Sequence, residues 1–284
     1  MVVTQPPKPS GRGLRMNPTP VHEAAAGLAI EAPRRCKDPE FVERLRSLAP
    51  AAMVVAAYGQ ILPQAMLDIA LCLNLHGSIL PKYRGAAPIQ RAIMAGESET
   101  GVSLMRMVLE MDAGDVYAIE KTPIGLMETG RELETRLSEM AAEMIAQHLE
   151  AILEGRLDAA PQDHSAATFA PKIVGEDFGL RWDETARQCH DRRRALWPRA
   201  FAVWKGRRVK ALKSAPAEGN GAPGEVLAVG EQGLLIACGQ GALWIDELQP
   251  EGKSKMSAQS FANGYRARPG DRFDLITAEA AESR

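Results

Sequence analysis

LNLHGSILPKYRGAAPIQ, residues 73–90, is the stretch whose pattern decides the fold. It opens inside a short apolar run, Leu71–His76 (LCLNLH), which is followed at once by Gly77 and Ser78. A run this short and this apolar fits a strand covered on both faces, as in a parallel sheet. Pro81, Gly85 and Pro88 then stiffen a loop, and Ala87–Ala95 reads as a helix with a proline in its first turn. Strand, loop and helix in that order build an open α/β sheet, and such sheets bind ligands beyond the carboxyl ends of their strands. In an alternating strand Asn74 and His76 point to the same face. An amide and an imidazole therefore emerge together at the expected mouth of a site.

Working outward, the same alternation continues on both sides. Val2–Thr4 predicts a strand and Pro20–Leu28 a short helix. Asp38–Leu48 predicts a helix, with Asp38 at its N-cap and Phe41, Leu45 and Leu48 on one face. Ala52–Ala57 (AMVVAA) predicts a second buried strand, and Pro63 starts a short helix running to Asp68. Beyond the central stretch, Thr100–Met107 and Asp115–Ile124 read as strands. Glu132–Leu153 keeps helical periodicity until Gly155 stops it. Gly155–Val174 is polar and irregular, a linker. After a helix at Glu184–Arg194 the pattern changes. Alternating runs at Ala200–Lys213, Glu225–Val229, Leu234–Cys238 and Leu243–Leu248 are separated by Gly, Pro and Asn turns, with Ser214–Gly224 as a flexible connection. These predict a small antiparallel β domain, a barrel.

Composition narrows the function. With 34 basic and 36 acidic residues the net charge is −2, so no global basic field draws nucleic acid, and contact with RNA would need local patches. Cys36, Cys72, Cys189 and Cys238 are scattered without a CxxC pair, which argues against a disulfide framework or a zinc site and for a reducing cytoplasm. No apolar run reaches the roughly 18–20 residues needed to cross a bilayer, and MVVTQPPKPSGRG lacks the apolar centre of a signal peptide.

The chemistry sits in two pieces. The second, Met111–Asp115 (MDAGD), is a short loop between strands with Asp112 and Asp115 flanking a glycine. A carboxylate there could reach the His76 imidazole and fix its tautomer. Asn74, His76 and Asp112 together suit acyl transfer: the amide steadies a developing oxyanion, the imidazole moves a proton, and the carboxylate orients the imidazole. Taken singly each has an ordinary structural reading, a strand-end histidine, a turn-capping asparagine and a loop aspartate.

These residues resemble a known family. Leu73–Gln90, Thr100–Gly101–Val102 and Asp112–Asp115 are similar to the formyltransferases related to glycinamide ribonucleotide formyltransferase, and within that group to the methionyl-tRNA formyltransferases. His76–Ile93 (HGSILPKYRGAAPIQRAI), Ala56–Pro63 (AAYGQILP), Thr168–Ile173 (TFAPKI) and Leu248–Gln259 (LQPEGKSKMSAQ) carry the likeness from Val2 almost to the C-terminus. The resemblance implies a Rossmann-like catalytic domain over 1–155, a linker over 156–175 and an OB-like, tRNA-binding β-barrel over 176–284. It implies transfer of formyl from 10-formyltetrahydrofolate to the amino group of methionine on initiator tRNA, without a metal, by a monomer in the cytoplasm. By position the catalytic trio is Asn74, His76 and Asp112. Ser78, Ile79, Leu80 and Pro81 match the folate-binding segment. Pro6–Arg15 matches a loop that meets the tRNA acceptor stem, which makes Arg12 a tRNA contact. Lys205, Arg207 and Arg208, with Lys210 and Lys213, form a local basic cluster, as do Lys253 and Lys255, and backbone phosphates need such charges.

The sequence also departs from the pattern. Such enzymes begin with a strand, a Gly-Thr-Pro turn and a helix before the segment matching Val2–Gln5, and these are missing. The chain as written is therefore expected to be poorly stable, its start assigned too late. Val108–Leu109 makes the loop before Asp112 more apolar than the family's, and Ala195–Leu196 replaces an Asn-Pro before Trp197–Pro198. Two other readings stay open: a formyltransferase acting on another small amine, and a non-catalytic tRNA- or folate-binding remnant.

Overall fold

The computed structural model describes residues 1–10 and 15–276. They form two compact units that interleave along the chain. The first comprises Met1–His76, Val102–Ile119 and Ala141–Ser165, and the second comprises Gly77–Gly101, Glu120–Met140 and the chain from Ala166 onward.

The first unit opens with β1 (Val2–Val3), the hairpin β2 (Lys8–Ser10) and β3 (Arg15–Asn17), then α1 (Pro20–Ala24) and β4 (Ile30–Glu31), which pairs parallel with β1. Then come α2 (Pro39–Ser47), β5 (Ala52–Val55), α3 (Gln64–Leu67) and β6 (Leu71–His76). Asp38 occupies the N-cap of α2 as expected, but its side chain makes no capping hydrogen bond. Phe41, Val42 and Leu45 form the buried face of α2 and pack with Cys36, Leu62 and Met66, against which Val3, Met53 and Val55 close. The expected helix at Pro20–Leu28 stops after Ala24.

One four-stranded sheet has the order β5–β6–β7–β8, where α4 (Pro88–Met94) precedes β7 (Glu99–Arg106) and β8 (Val116–Pro123). β5 and β6 run parallel and β6 and β7 antiparallel. The sheet is open and mixed, and α2 packs against Met53 and Val55 of β5. β5 is not buried on both faces, however: Val54 is 44% exposed. Among the described residues β5 has a hydrogen-bonded neighbour on one side only, so its apolar run is that of an edge strand. β6, flanked on both sides, buries Cys72, Leu73 and His76.

The long helix α5 (Gly130–Leu153) starts two residues earlier than its periodicity predicts. Thr129 and Glu132 exchange side-chain to backbone hydrogen bonds at its start, a reciprocal cap. Those bonds from Thr129 hold the Glu132 carboxyl below its usual range.

In the second unit α6 (Ala186–Ala195) is capped by Thr185 and Gln188. Then β9 (Phe201–Trp204), β10 (Arg207–Ala217), β11 (Val226–Gly230), β12 (Gly233–Ala237), β13 (Ala242–Pro250), β14 (Met256–Ser257) and α7 (Ala258–Tyr265) follow. The strands form one antiparallel sheet, β11–β12–β13–β10–β9, with β14 on β13. Arg272 bridges to Glu225 beside β11, and Asp274 bridges to Val203 in β9, so one segment touches both ends of the sheet and draws it toward a barrel. Trp182, Trp204, Phe261 and Phe273 pack at its centre, with Trp204 and Phe273 ring centroids 4.7 Å apart.

Two expectations change here. The run Ala200–Lys213 is a hairpin turned at Lys205 and Gly206, both at positive φ. The connection expected from Ser214 is still strand up to Ala217, because Ser214 to Ala217 pair with β13. Ser214 is buried, and its hydroxyl meets the His190 ring at 3.0 Å and Arg193 Nε at 2.9 Å.

Candidate active site

β6 delivers His76 at its last position, 6% exposed, two residues beyond Asn74 on the same face of the strand. The loop after β7 brings in Asp112. Its carboxylate Oδ2 lies 3.6 Å from His76 Nδ1, with the Asp112 side chain 16% exposed. Strand pairing sets Asn74 opposite Met105 and His76 opposite Ser103, which fixes how far β7 runs before its loop turns back.

Asp112 adopts φ +51°, a left-handed conformation that a residue with a Cβ rarely takes. Three features hold it there. The Ala113 amide donates to the Glu110 carbonyl. Gln162 Nε2 donates to the carbonyls of Asp112, at 2.9 Å, and Gly114, at 2.6 Å. At Gly114 the backbone passes so close to the Arg106 carbonyl that a Cβ would collide with it. The glycine between the two aspartates is thus required by a close approach of backbones. The apolar residues before Asp112 face solvent: Val108, Leu109 and Met111 are exposed. Val108 and Leu109 line a cleft of about 560 Å³ with Leu67, Cys72, Arg106 and Asp115, a cleft that His76 and Asp112 do not line. Among the described residues no group of His, Cys, Asp or Glu is placed to hold a metal ion.

The segment after His76 belongs to the second unit. Ser78 is fully buried and its hydroxyl donates to the Lys82 carbonyl at 2.6 Å, so it braces the loop from inside. Leu80 is buried as well, and Ile79 and Pro81 are half-buried. The loop is clamped by residues the sequence reading assigned to a linker. The Thr168 amide donates to the Pro81 carbonyl and the Thr168 carbonyl accepts from Arg84. The Thr168 hydroxyl accepts from the Tyr83 amide at 2.9 Å. Tyr83, itself at φ +59°, donates its phenol to Glu97 at 2.8 Å. Burial and that carboxylate raise the Tyr83 pKa above its ordinary range.

The family model for formyl transferase matches residues 1–149, and the model for its C-terminal domain matches 172–266. The chain belongs to the formyl transferase family. Among curated relatives, a methionyl-tRNA formyltransferase of Thermus thermophilus is 44% identical over 97% of this chain and 92% of its own length. That of Geobacter sulfurreducens is 40% identical over 96% and 88%. The crystal structure of HypX from Aquifex aeolicus with tetrahydrofolic acid matches this formyl transferase at a TM-score of 0.64 and 22% identity, covering 90% of this chain and 47% of HypX. WlaRD, a sugar 3N-formyl transferase, matches at 0.61 and 17%, covering 81% and 80%. At those identities the structural likeness shows the fold.

The expected RNA contacts of this formyl transferase separate on inspection. Arg12 lies outside the described residues. Lys205 sits at the β9–β10 turn, 5.1 Å from the Trp204 ring centroid, with Arg207 beside it and Arg208 next along β10. Lys213 and Lys255, by contrast, are paired with Asp246, at 2.9 Å, and Glu247, at 3.1 Å. Sequence reading gave Gln162 no role and quoted Thr168 only as the start of the family-like TFAPKI stretch, without its clamp on the loop at Pro81–Arg84. A lone Gln in a polar stretch carries no spacing signal.

Proposed function

We propose that this formyl transferase moves the formyl group of 10-formyltetrahydrofolate onto the α-amino group of methionine carried by initiator tRNA. Support comes from the name borne by its relatives over nearly their whole length. The observation that carries the chemistry is the His76–Asp112 pair, with Asn74 two residues before the histidine on the same strand. The donor supplies a formyl group already bonded to nitrogen, so no enzyme nucleophile is required. As a C–N bond forms between the methionine amine and the formyl carbon, His76 accepts the proton the amine sheds. It returns a proton to the donor nitrogen as the old C–N bond breaks. The Asn74 amide donates to the formyl oxygen while charge collects there. Asp112 holds the imidazole in one orientation throughout. Ser78–Pro81 binds the donor through its backbone and through Ile79 and Pro81, since the Ser78 hydroxyl is used within the loop.

In this reading residues 1–155 are the catalytic part, 156–175 a connecting segment and 176–284 the tRNA-binding part. Arg12, Lys205, Arg207 and Arg208 meet RNA, and the protein works as a cytoplasmic monomer. No helix among the described residues is long and apolar enough to cross a membrane. The test is direct. The chain is supplied with 10-formyltetrahydrofolate and either methionyl-initiator tRNA or methionyl-elongator tRNA, and formylmethionine is measured. Rapid formylation of the initiator alone is expected, and transfer to neither would overturn the reading.

A further inference from the structure

The cysteines are scattered along the chain and no spacing pairs them, yet the fold brings two together. Cys189 lies near the start of α6, and Cys238 directly follows β12, in the turn to β13. Backbone hydrogen bonds lay the start of α6 on that turn. The Ala186 amide donates to the Gln240 carbonyl at 2.9 Å, and the Gly239 amide donates to the Glu184 carbonyl at 2.8 Å. At Gly239 a Cβ would collide with the Asp183 carbonyl, so the two backbones come as close as glycine allows. A Cβ at Gly241 would press on the Ala186 side chain. Cys189, three residues after Ala186, shares its helical face. The Cys189 and Cys238 thiols are hydrogen-bonding neighbours.

Both thiols are shut away from water, and Cys238 is the more exposed of the two at 4%. The Cys189 thiol donates to the Arg181 carbonyl at 2.9 Å. Its contact with Cys238, and then burial, raise it above the ordinary thiol range. In the closed fold it therefore stays protonated and is a poor nucleophile. A single buried cysteine behaves as a small apolar residue. Two in contact add a reaction, because oxidation can join them with little movement of the chain. Among the described residues no third His, Cys, Asp or Glu joins them to make a metal site.

We infer that Cys189 and Cys238 are a disulfide-forming pair: a small disulfide such as oxidised glutathione oxidises them, and the new bond clamps α6 to the turn between β12 and β13. The inference does not depend on the substrate proposed above. The step begins when the turn lifts from α6 and the Cys238 thiol, the more exposed, loses its proton to solvent. Its sulfur attacks one sulfur of oxidised glutathione, breaks that S–S bond and releases one glutathione as a thiolate. As the turn reseats, Cys189 gives up its proton and attacks the Cys238 sulfur, and the second glutathione leaves as a thiolate. The two thiolates take up the two protons lost. The protein sulfurs give up two electrons, and the glutathione disulfide accepts them to become two thiols. The bond closes a long loop of the unfolded chain, which favours the folded state.

The full reduced chain, incubated with oxidised glutathione, unfolded in excess alkylating reagent and digested with trypsin without reductant, tests the inference. Mass spectrometry should find the Cys189 and Cys238 peptides joined, lighter by two hydrogens than the separate parts, with Cys36 and Cys72 alkylated. Cross-linking should quicken in denaturant kept below the unfolding transition, because local opening admits the oxidant. The cross-linked protein should melt about 5–10 °C above the reduced one, and reductant should reverse the gain. Cys238→Ala should lose both the cross-link and the gain. Peptide mapping of the unaltered chain decides the matter even where that variant does not fold. Cys189 and Cys238 still alkylated after oxidation in mild denaturant would overturn the inference. So would glutathione adducts that never resolve into the cross-link, a bond that includes Cys36 or Cys72 instead, or a cross-link that leaves the melting midpoint unchanged.

Discussion

Asp112 concentrates the residue-scale argument, because its backbone and its carboxylate make separate demands. At φ +51° the position favours Asn and Asp, whose short polar side chains tolerate the left-handed region, over Ala. Asp112→Asn should therefore fold as well as the parent yet lose the charge that faces His76, and formylation should fall by about 10²-fold or more. His76→Ala should lose as much or more, again with little loss of stability. Near-normal rates in either variant, measured on methionyl-initiator tRNA, would defeat the proposed roles. Gln162 makes a different prediction, because it acts through the loop carbonyls it holds and not on the reacting atoms. Gln162→Leu strands the carbonyls of Asp112 and Gly114 and should cost about 1–3 kcal/mol of stability. It should also lower kcat about tenfold with KM unchanged, an estimate set by the modest misplacement of one catalytic group. Stability and kcat measured on the same preparation would expose a merely structural Gln162, which would lower the first and spare the second.

At the scale of elements, α6 is the least expected part of the molecule. A helix reading CHDRRR should lie on the surface, yet His190, Asp191, Arg192, Arg193 and Arg194 are all buried. The burial is sustained by extensive pairing. Arg194 Nε donates to Asp191, and its Nη1 donates to the carbonyls of Gly125 and Glu128. Arg192 pairs with Glu184 at 2.7 Å. Arg193 donates to Ser214 and to the Leu212 carbonyl, and burial beside Arg194 draws its pKa down to about 10, still protonated at neutral pH. His190 lies between the Leu126 carbonyl and the Ser214 hydroxyl, and burial together with the Arg193 charge draws its pKa down to about 4. The folded protein keeps this ring neutral while the unfolded chain takes up a proton below about pH 6.5, so stability present at pH 7 is lost as pH falls toward 4. At pH 5 the loss from this one group is about 2 kcal/mol. His190→Gln should therefore destabilise the protein at pH 7 yet show a smaller further drop between pH 7 and pH 5 than the parent, as read from denaturant midpoints. Equal drops in the two proteins would mean that the ring is not the group responsible. The start of α5 gives a packing counterpart. A Cβ at Gly130 would collide with the Ala195 carbonyl at the end of α6. Gly130→Ala should thus cost several kcal/mol, although the same change in an exposed helix stabilises by about 0.5–1 kcal/mol.

Across the whole molecule, what sequence could show was whatever repeats or carries a fixed chemical pattern. The period of α5, the short apolar run of β6 and the turn-punctuated strands of the barrel were legible because burial imposes periodicity. The approach of His76 and Asp112 was legible because a strand-end imidazole two residues after an asparagine and a carboxylate in a glycine-flanked loop are unusual together. The exposed face of Val54, the buried α6 and the roles of Gln162 and Thr168 were not, because each depends on which distant backbone lies alongside. Charge follows the same division. A net charge of −2 gives no steering field, so RNA affinity rests on cations without a carboxylate partner, a property only three-dimensional pairing reveals. Among the described residues Lys205, Arg207, Arg208 and Lys210 form no ion pair, whereas Lys213 and Lys255 are held by Asp246 and Glu247. If those four all meet phosphates, log Kd for tRNA should rise with log salt at a slope of about 3.6, at 0.9 per neutralised phosphate. The paired lysines then form a reserve. Glu247→Gln frees Lys255, which is 72% exposed and needs no rearrangement to reach a strand of RNA. That change should steepen the slope by up to about one and tighten binding at 50 mM salt, while leaving affinity near 200 mM almost as before. A Glu247→Gln protein whose salt dependence matches the parent would place Lys255 away from the RNA path and confine the electrostatic footprint to the β9–β10 hairpin.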